Sequence, residues 1–214
     1  MRVSDFQQLY DITESVDIDP IDKAAYTVCH VFRLSEAKVD KMKPKKFIKK
    51  HTKAQRIIDM CTVPPVFGRH YKVNTDATQI TFGQFVEVIT WMDGGVVEQM
   101  HMIHASMVGG AKHKQRAAKT LGMNVRAVLP YVLKFVESFN KLIESYSGLF
   151  EVGGEVKDEK PHPFILRYGW IYQATIICDH FRYNDLNKVW ELNVIEALNT
   201  LSYLKSKNSF DAQS

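Results

Sequence analysis

The clearest pattern of apolar and polar positions in the chain lies near its C-terminus. At about 100° per residue, the apolar side chains of residues 190–205 fall on one half of a predicted helix. This apolar stripe comprises Trp190, Val194, Ile195, Ala197, Leu198, Leu201 and Leu204. The other side carries Asn193, Glu196, Asn199, Thr200 and Tyr203, and a polar tail is predicted from 208 to 214.

The apolar stripe packs either into the chain's own core, which we favour, or against a partner. In the second case Trp190, Val194, Leu198 and Leu201 are the predicted partner-binding residues.

Helical periodicity predicts further helices along most of the chain. They cover residues 5–13, 21–34, a short turn after 35, 44–60, 82–92, 96–108, 125–146 and 164–182. Asp19 and Pro20 supply a cap and a first residue for the helix at 21–34, and Thr81 caps the helix at 82–92. Asn124 is predicted to cap the helix at 125–146, which Pro130 is expected to kink.

Two stretches interrupt the helical pattern. Residues 63–68 contain adjacent prolines, and residues 69–73 alternate like one short strand before a polar turn. Residues 148–163 are polar and contain glycine, which predicts an exposed loop or hinge. We therefore predict a mainly α fold, a helical bundle of short helices with at most one small β-hairpin. The predicted segments are 1–62, an N-terminal helical module with a basic helix; 63–150, a short strand plus central helices; and 151–214, a loop and C-terminal helical pair.

The composition excludes several classes of protein. The 214 residues are 45% hydrophobic, which is enough to bury a core. No run of about 18 apolar residues is present, so we expect no membrane span. The start of the chain, Met1 to Asp5, lacks the apolar core of a signal peptide, so we expect none. Cys29, Cys61 and Cys178 are odd in number and far apart, which predicts reduced thiols rather than a disulfide framework or a zinc knuckle.

Two groups of residues have side chains that could carry chemistry. Glu98, His101 and His104 have helical spacing, but a carboxylate-bridged metal site needs a second Glu-x-x-His on another helix, and no other predicted helix contains one. Cys178 and His180 flank Asp179, and neighbouring side chains on a helix point about 100° apart. A structural role is therefore favoured for both groups. We predict no catalytic residue, no metal site and no cofactor.

Positive charge is concentrated between Lys38 and Arg56, where nine basic residues accompany one acidic residue, Asp40. On the helix predicted at 44–60, six of them fall within an arc of about 140°. They are Lys45, Lys46, Lys49, Lys50, Lys53 and Arg56. This face is suited to a phosphate backbone, an acidic protein or an anionic membrane, or it is simply a solvated surface. A second basic segment contains Lys112, His113, Lys114, Arg116 and Lys119, without interleaved aromatic residues, so any contact with DNA is expected to be non-specific and salt-dependent.

Four segments together resemble a loose group of tailed-bacteriophage morphogenesis proteins in their layout. They are Asp19 to Lys23, Leu34 to Met42 before Pro44, Tyr71 to Val73 before Ile80 to Phe85, and Val189 to Lys205. The resemblance implies a non-enzymatic protein, most simply a tail-assembly chaperone-like or tail-associated factor that acts by helix-mediated binding to other virion proteins. Such a factor would work in the host cytoplasm during assembly.

The resemblance also allows an alternative, a structural virion component. That protein would be a ring or connector subunit of the head-tail or tail assembly, a homo-oligomer with its basic face toward DNA, and it would be located in the virion.

Overall fold

A computed structural model describes residues 1–63, 73–110, 112–150 and 163–212, with only the backbone described from 163 to 168. These residues form twelve α-helices and no strand, which confirms the mainly α prediction. Apart from Val73, the strand predicted at 69–73 lies outside the described residues. The same is true of most of the loop predicted at 148–163.

The helices follow one another with short connections. They are α1 (Val3–Glu14), α2 (Pro20–Phe32), α3 (Glu36–Asp40), α4 (Pro44–Asp59), α5 (Phe82–Met92), α6 (Met100–Val108), α7 (His113–Leu121), α8 (Leu129–Ser145), α9 (Ser147–Phe150), α10 (Pro163–His180), α11 (Asn187–Glu191) and α12 (Val194–Asp211). Three-residue 3-10 turns occur at Met60–Thr62, Ala77–Gln79 and Val125–Ala127.

Two predicted helix caps are confirmed by their hydrogen bonds. The backbone N–H of Ile21 donates to Asp19 Oδ1 at 2.8 Å, and Pro20 is the first residue of α2. At α5, the Gln84 N–H donates to Thr81 Oγ1 at 3.2 Å while the Thr81 N–H donates to Gln84 Oε1 at 2.9 Å. This reciprocal pair satisfies two backbone groups that a helix N-terminus otherwise leaves without partners.

The helix predicted at 125–146 begins later than expected. The Asn124 side chain accepts from the Arg126 N–H at 3.1 Å, but the capped element is the 3-10 turn Val125–Ala127. Helix α8 begins at Leu129, so Pro130 lies in its first turn, where a missing N–H removes no helical hydrogen bond. The expected kink at Pro130 is therefore wrong. Leu133 of α8 is 38% exposed, whereas its neighbour Val132 is fully buried.

The C-terminal helix predicted at 190–205 is two helices. Helix α11 ends at Glu191, and Asn193 caps α12, its Oδ1 accepting from the Ile195 N–H at 2.8 Å. The backbone on either side of Asn193 pairs with the chain before α5, because the Phe82 N–H donates to the Leu192 carbonyl and the Val194 N–H to the Ile80 carbonyl. Helix α12 then continues to Asp211, so most of the predicted polar tail is helical.

By its internal contacts the chain divides into two units. Unit 1 contains residues 1–73 and 91–134, and unit 2 contains residues 74–90 and 135–214. Each unit is assembled from two stretches that are separate in the sequence, so the units do not follow the three consecutive segments that we predicted.

In unit 1, α1 packs against α2 and α7, α2 packs against α3 and α4, and α6 packs against α7. Val28, Cys29 and Val39 form a buried cluster there, and Phe32 and Phe47 pack against it. This cluster fixes which side of α4 is turned inward.

Unit 2 has an aromatic core. The rings of Phe82 and Trp190 stack with centroids 5.6 Å apart, and those of Phe85 and Phe139 lie 5.1 Å apart. Trp170 on α10 meets the Phe85 ring edge-on at 5.6 Å. Buried aromatic rings contribute large apolar areas, so this cluster supplies much of the packing of unit 2.

Candidate functional site

Helix α4 presents the most concentrated charge of the described residues. Its inward side carries the buried Ala54 and the half-buried Phe47, His51 and Ile58. Phe47 packs against the cluster on α2 and α3, and its ring stacks on that of His51 with centroids 6.2 Å apart. Because the apolar side is held in the core, the basic side is turned toward solvent.

The six predicted basic residues all lie on this outward side, which we call the lysine face: Lys45, Lys46, Lys49, Lys50, Lys53 and Arg56. Five of them are exposed, and Lys50 at the edge is half-buried. The Lys50 Nζ lies 4.4 Å from the centroid of the Phe32 ring, a cation–π contact that holds its stem against the core.

No carboxylate among the described residues lies within 4.0 Å of a charged nitrogen of the lysine face. The chain does form such pairs elsewhere, for example Lys141 with Glu137 at 2.7 Å and Arg33 with Asp5 at 3.7 Å. The lysine face is therefore a group of cations without anionic partners among the described residues.

The placement of charge on α4 opposes the helix dipole. Its first turn contains Lys45 and Lys46 and no acidic residue, and its N-cap residue, Lys43, makes no capping hydrogen bond with its side chain. Cations at the positive end of a helix are unfavourable, and so are like charges four residues apart, such as Lys45 and Lys49. An anionic partner on this face would relieve both effects.

Ile48 was missed in the sequence analysis, yet it is 63% exposed beside the lysine face. Its helical angle, about 60° from that of Lys45, was the signal that could have shown it. An exposed apolar side chain among cations also occurs on helices that bind membrane surfaces.

The second basic segment forms helix α7, and it exposes less charge than its composition suggests. Lys112, Lys114 and Lys119 are exposed, whereas the Arg116 guanidinium donates a short hydrogen bond to the Gly110 carbonyl. The His113 ring stacks on Trp91, with centroids 6.2 Å apart. Three lysines of this segment thus remain turned to solvent.

The predicted partner-binding stripe is inside unit 2. Val194 and Leu198 are fully buried, Leu201 is 7% exposed, and Trp190 is half-buried against Phe82. Thr200, which was placed on the polar side, is also buried. Their burial supports the alternative in which the stripe packs into the chain's own core.

An apolar groove remains at the surface of unit 2, with a volume of about 890 Å³. Helices α10 and α12 contribute most of its lining, including Trp170, Tyr172, Ile176, Leu204 and Lys205. Tyr172 and its neighbour Ile171 are about half exposed. Leu198, Leu201 and Leu204 of the apolar stripe also line the groove, so among the described residues it is the apolar surface of unit 2 that adjoins the stripe.

The histidines that sequence spacing brought together have separate partners. His101 Nδ1 lies 3.1 Å from Gln7 Nε2 on α1, and His104 Nδ1 lies 3.1 Å from Thr120 Oγ1 on α7. Burial lowers the pKa of His104 to about 4. Within the described part of the chain, no three side chains of the metal-ligating types come together.

The side chains of Cys178 and His180 also contact other residues of the folded chain. Cys178 Sγ donates to the Tyr183 carbonyl at 3.4 Å, and the His180 ring packs against Tyr203, 6.0 Å between centroids. Burial raises the pKa of the Cys29 and Cys61 thiols, which disfavours the reactive thiolate.

None of the described helices combines the length and the apolar character that crossing a bilayer requires. Comparisons with protein families, curated proteins and solved structures gave no significant match.

Proposed function

We propose that this chain is a non-enzymatic structural component of a phage virion, a ring or connector subunit whose lysine face contacts the phosphate backbone of DNA. The observation that carries the proposal is the set of six cations on one side of α4 without a carboxylate partner among the described residues. The layout of the sequence, which resembles that of phage morphogenesis proteins, supplies the biological setting.

The spacing of the cations suits a polymer of anions better than a single ion. Residues four apart on a helix are separated by about 6 Å along its axis, so Lys45, Lys49 and Lys53 form a row of regularly spaced charges. DNA presents a phosphate charge every few ångströms along each strand. A row of lysines on one helix can therefore neutralise several phosphates at once.

The face offers contacts to phosphates and few to bases. Two aromatic side chains near it, Phe32 and Phe47, pack against the buried cluster of unit 1, where Lys50 covers the Phe32 ring and His51 stacks on Phe47. Neither ring is presented as a platform on which a base could stack. Lysine contacts with phosphates position a duplex without recognising its sequence. In a ring of identical subunits, symmetry would repeat the lysine face around the DNA path.

A binding measurement with charge-reversed variants tests the DNA contact. We expect K46E/K49E/K53E to weaken binding to a fluorescent 20-base-pair duplex at least tenfold in about 50 mM salt, because three phosphate contacts become repulsive. The matched control is K134E/K188E/K207E, which changes the net charge equally at exposed lysines outside α4 and should bind within about twofold of wild type.

Equal losses in the two triple variants would show that net charge alone, and not the lysine face, determines binding. Binding to vesicles containing phosphatidylserine, with none to the duplex, would assign the face to an anionic membrane and contradict the proposal.

The second candidate function is that of a tail-assembly chaperone. The apolar groove of unit 2 favours it, because a chaperone must offer accessible apolar surface to an aggregation-prone partner.

The two functions differ in whether the protein is part of the mature virion. Mass spectrometry of purified virions should find a ring or connector subunit at a fixed copy number, and light scattering should find higher oligomers. Absence from virions together with a monomeric or dimeric state would favour the chaperone.

A further inference from the structure

Helix α6 is largely enclosed within unit 1. Six of its nine residues are buried, and they include the imidazole of His104 as well as apolar side chains such as Met100 and Ile103. Two histidines of this helix, His101 and His104, hydrogen-bond to other helices, and we call them the histidine pair. Their bonding patterns show which ring nitrogens are protonated.

His104 is neutral and carries its proton on Nδ1. The Thr120 hydroxyl donates its one hydrogen to the Arg116 carbonyl at 3.0 Å. The Thr120 oxygen, 3.1 Å from His104 Nδ1, therefore accepts the hydrogen bond that His104 donates. The other ring nitrogen, Nε2, is buried and has no hydrogen-bond partner among the described residues. A proton added at Nε2 would place a charged donor where these residues offer no acceptor, which is unfavourable.

His101 has the opposite arrangement. The Gln7 amide nitrogen can only donate, so His101 Nδ1 accepts from it at 3.1 Å. The backbone carbonyls of Val97 at 3.0 Å and Glu98 at 2.5 Å also accept from this amide nitrogen, so its two hydrogens are shared among three acceptors and hold the segment before α6 against α1. Protonation of Nδ1 turns two donors toward each other and breaks the bond between His101 and Gln7.

The groups around the pair also disfavour protonation. Burial lowers the pKa of His101, the neighbouring His113 on α7 lowers it further, and only the backbone carbonyl of Glu98 acts in the opposite direction. For His104, burial alone lowers the pKa. From α1, Gln7 and the Tyr10 phenol approach the segment that begins α6, and Tyr10 lies near the Glu98 carboxylate.

We propose that the histidine pair is an acid-sensitive connection within unit 1, and that its protonation releases α6 from α1 and α7. This device is independent of the proposed contact with DNA. When α6 is released, the two imidazoles can bind protons that they do not bind in the folded state. The folded state is therefore fully stable above about pH 6.5 and loses stability as the pH falls toward 4. Because α7 carries Lys114 and Lys119 and follows its N-cap residue Lys112, acid would free a basic helix together with the apolar interior of unit 1.

Hydrogen exchange of the full chain tests the proposal. Between pH 7 and pH 4.5, after correction for the intrinsic rates, we expect the opening of residues 100–121 to increase at least about tenfold, while residues 194–211 in unit 2 change far less. In H101N/H104N, whose amides cannot take up the proton, this increase should disappear. The control variant H180N alters an exposed histidine of unit 2 and should behave like wild type.

An unchanged opening of residues 100–121 in wild type, or the same increase in H101N/H104N, would overturn the proposal. Should the double variant not fold, an NMR titration of wild-type imidazoles replaces it. We then expect His104 to take up its proton below pH 5, together with the rise in exchange. A His104 that titrates near pH 6.5 without any opening would equally overturn the proposal.

Discussion

The side chain of Asn193 makes two hydrogen bonds to backbone groups. Its Oδ1 accepts from the Ile195 N–H at 2.8 Å, and its Nδ2 donates to the Thr78 carbonyl at 2.9 Å. The first bond caps α12, and the second fastens that cap to the 3-10 turn Ala77–Gln79. One residue thus decides where the last helix begins and holds it to a segment more than a hundred positions earlier.

Replacing Asn193 by alanine removes both bonds. We expect N193A to lower the free energy of unfolding by about 1–2 kcal/mol, the usual cost of losing a cap and a neighbouring hydrogen bond. N193D keeps the acceptor but loses the donor, so its loss should be smaller. Urea unfolding monitored by tryptophan fluorescence measures both variants against N208A, an exposed asparagine in the last turn of α12. An N193A variant as stable as N208A would contradict this role.

The predictability of the helix ends depends on whether their signals are local. Asp19, Thr81 and Asn193 are all capping residues that precede a helix, and the first two were recognised from the sequence. Asn193 was not recognised as a cap, because the apolar residues on both sides of it continue the helical stripe. The helix is also interrupted there because the backbone of Leu192 and Val194 pairs with the chain around Thr81. No local sequence pattern reveals that pairing.

Helix α4 combines a well-formed apolar side with an unfavourable distribution of charge. Periodicity alone predicted its extent and its basic side, because both depend only on residue type and helical angle. The absence of carboxylate partners among the described residues could not be predicted, since it depends on which other segments pack nearby. The unfavourable cations of the first turn indicate that this helix is not optimised for stability alone.

Reversing the charges of the first turn should therefore stabilise the protein. We expect K45E/K46E to raise the free energy of unfolding by about 0.5–1.5 kcal/mol, since acidic residues favour a helix N-terminus and would pair with Lys49 and Lys50. The control R56E places an acid in the last turn, near Asp59, and should destabilise slightly. Thermal or urea unfolding measures both. Destabilisation by K45E/K46E would mean that these lysines have favourable partners within the folded chain.

At the level of the whole molecule, the units were the least predictable feature. Each unit joins two separate stretches of sequence, and long-range pairs such as Gln7 with His101 in unit 1 or Asn193 with Thr78 in unit 2 hold the stretches together. Helical periodicity identifies which side of a helix is apolar, but it does not identify the helix against which that side packs. For the same reason, the burial of the C-terminal stripe within unit 2 could be proposed as an alternative but not decided from the sequence.

The proposed contact with DNA is tested most directly by the salt dependence of duplex binding. Each phosphate neutralised by a lysine contributes about 0.9 to the slope of log K against log salt concentration. For K46Q/K49Q/K53Q, which removes three charges of the lysine face without adding repulsion, we expect that slope to be smaller in magnitude by about 2–3 than for wild type. A wild-type protein that binds duplex DNA with the same slope as this variant would contradict the proposed contact.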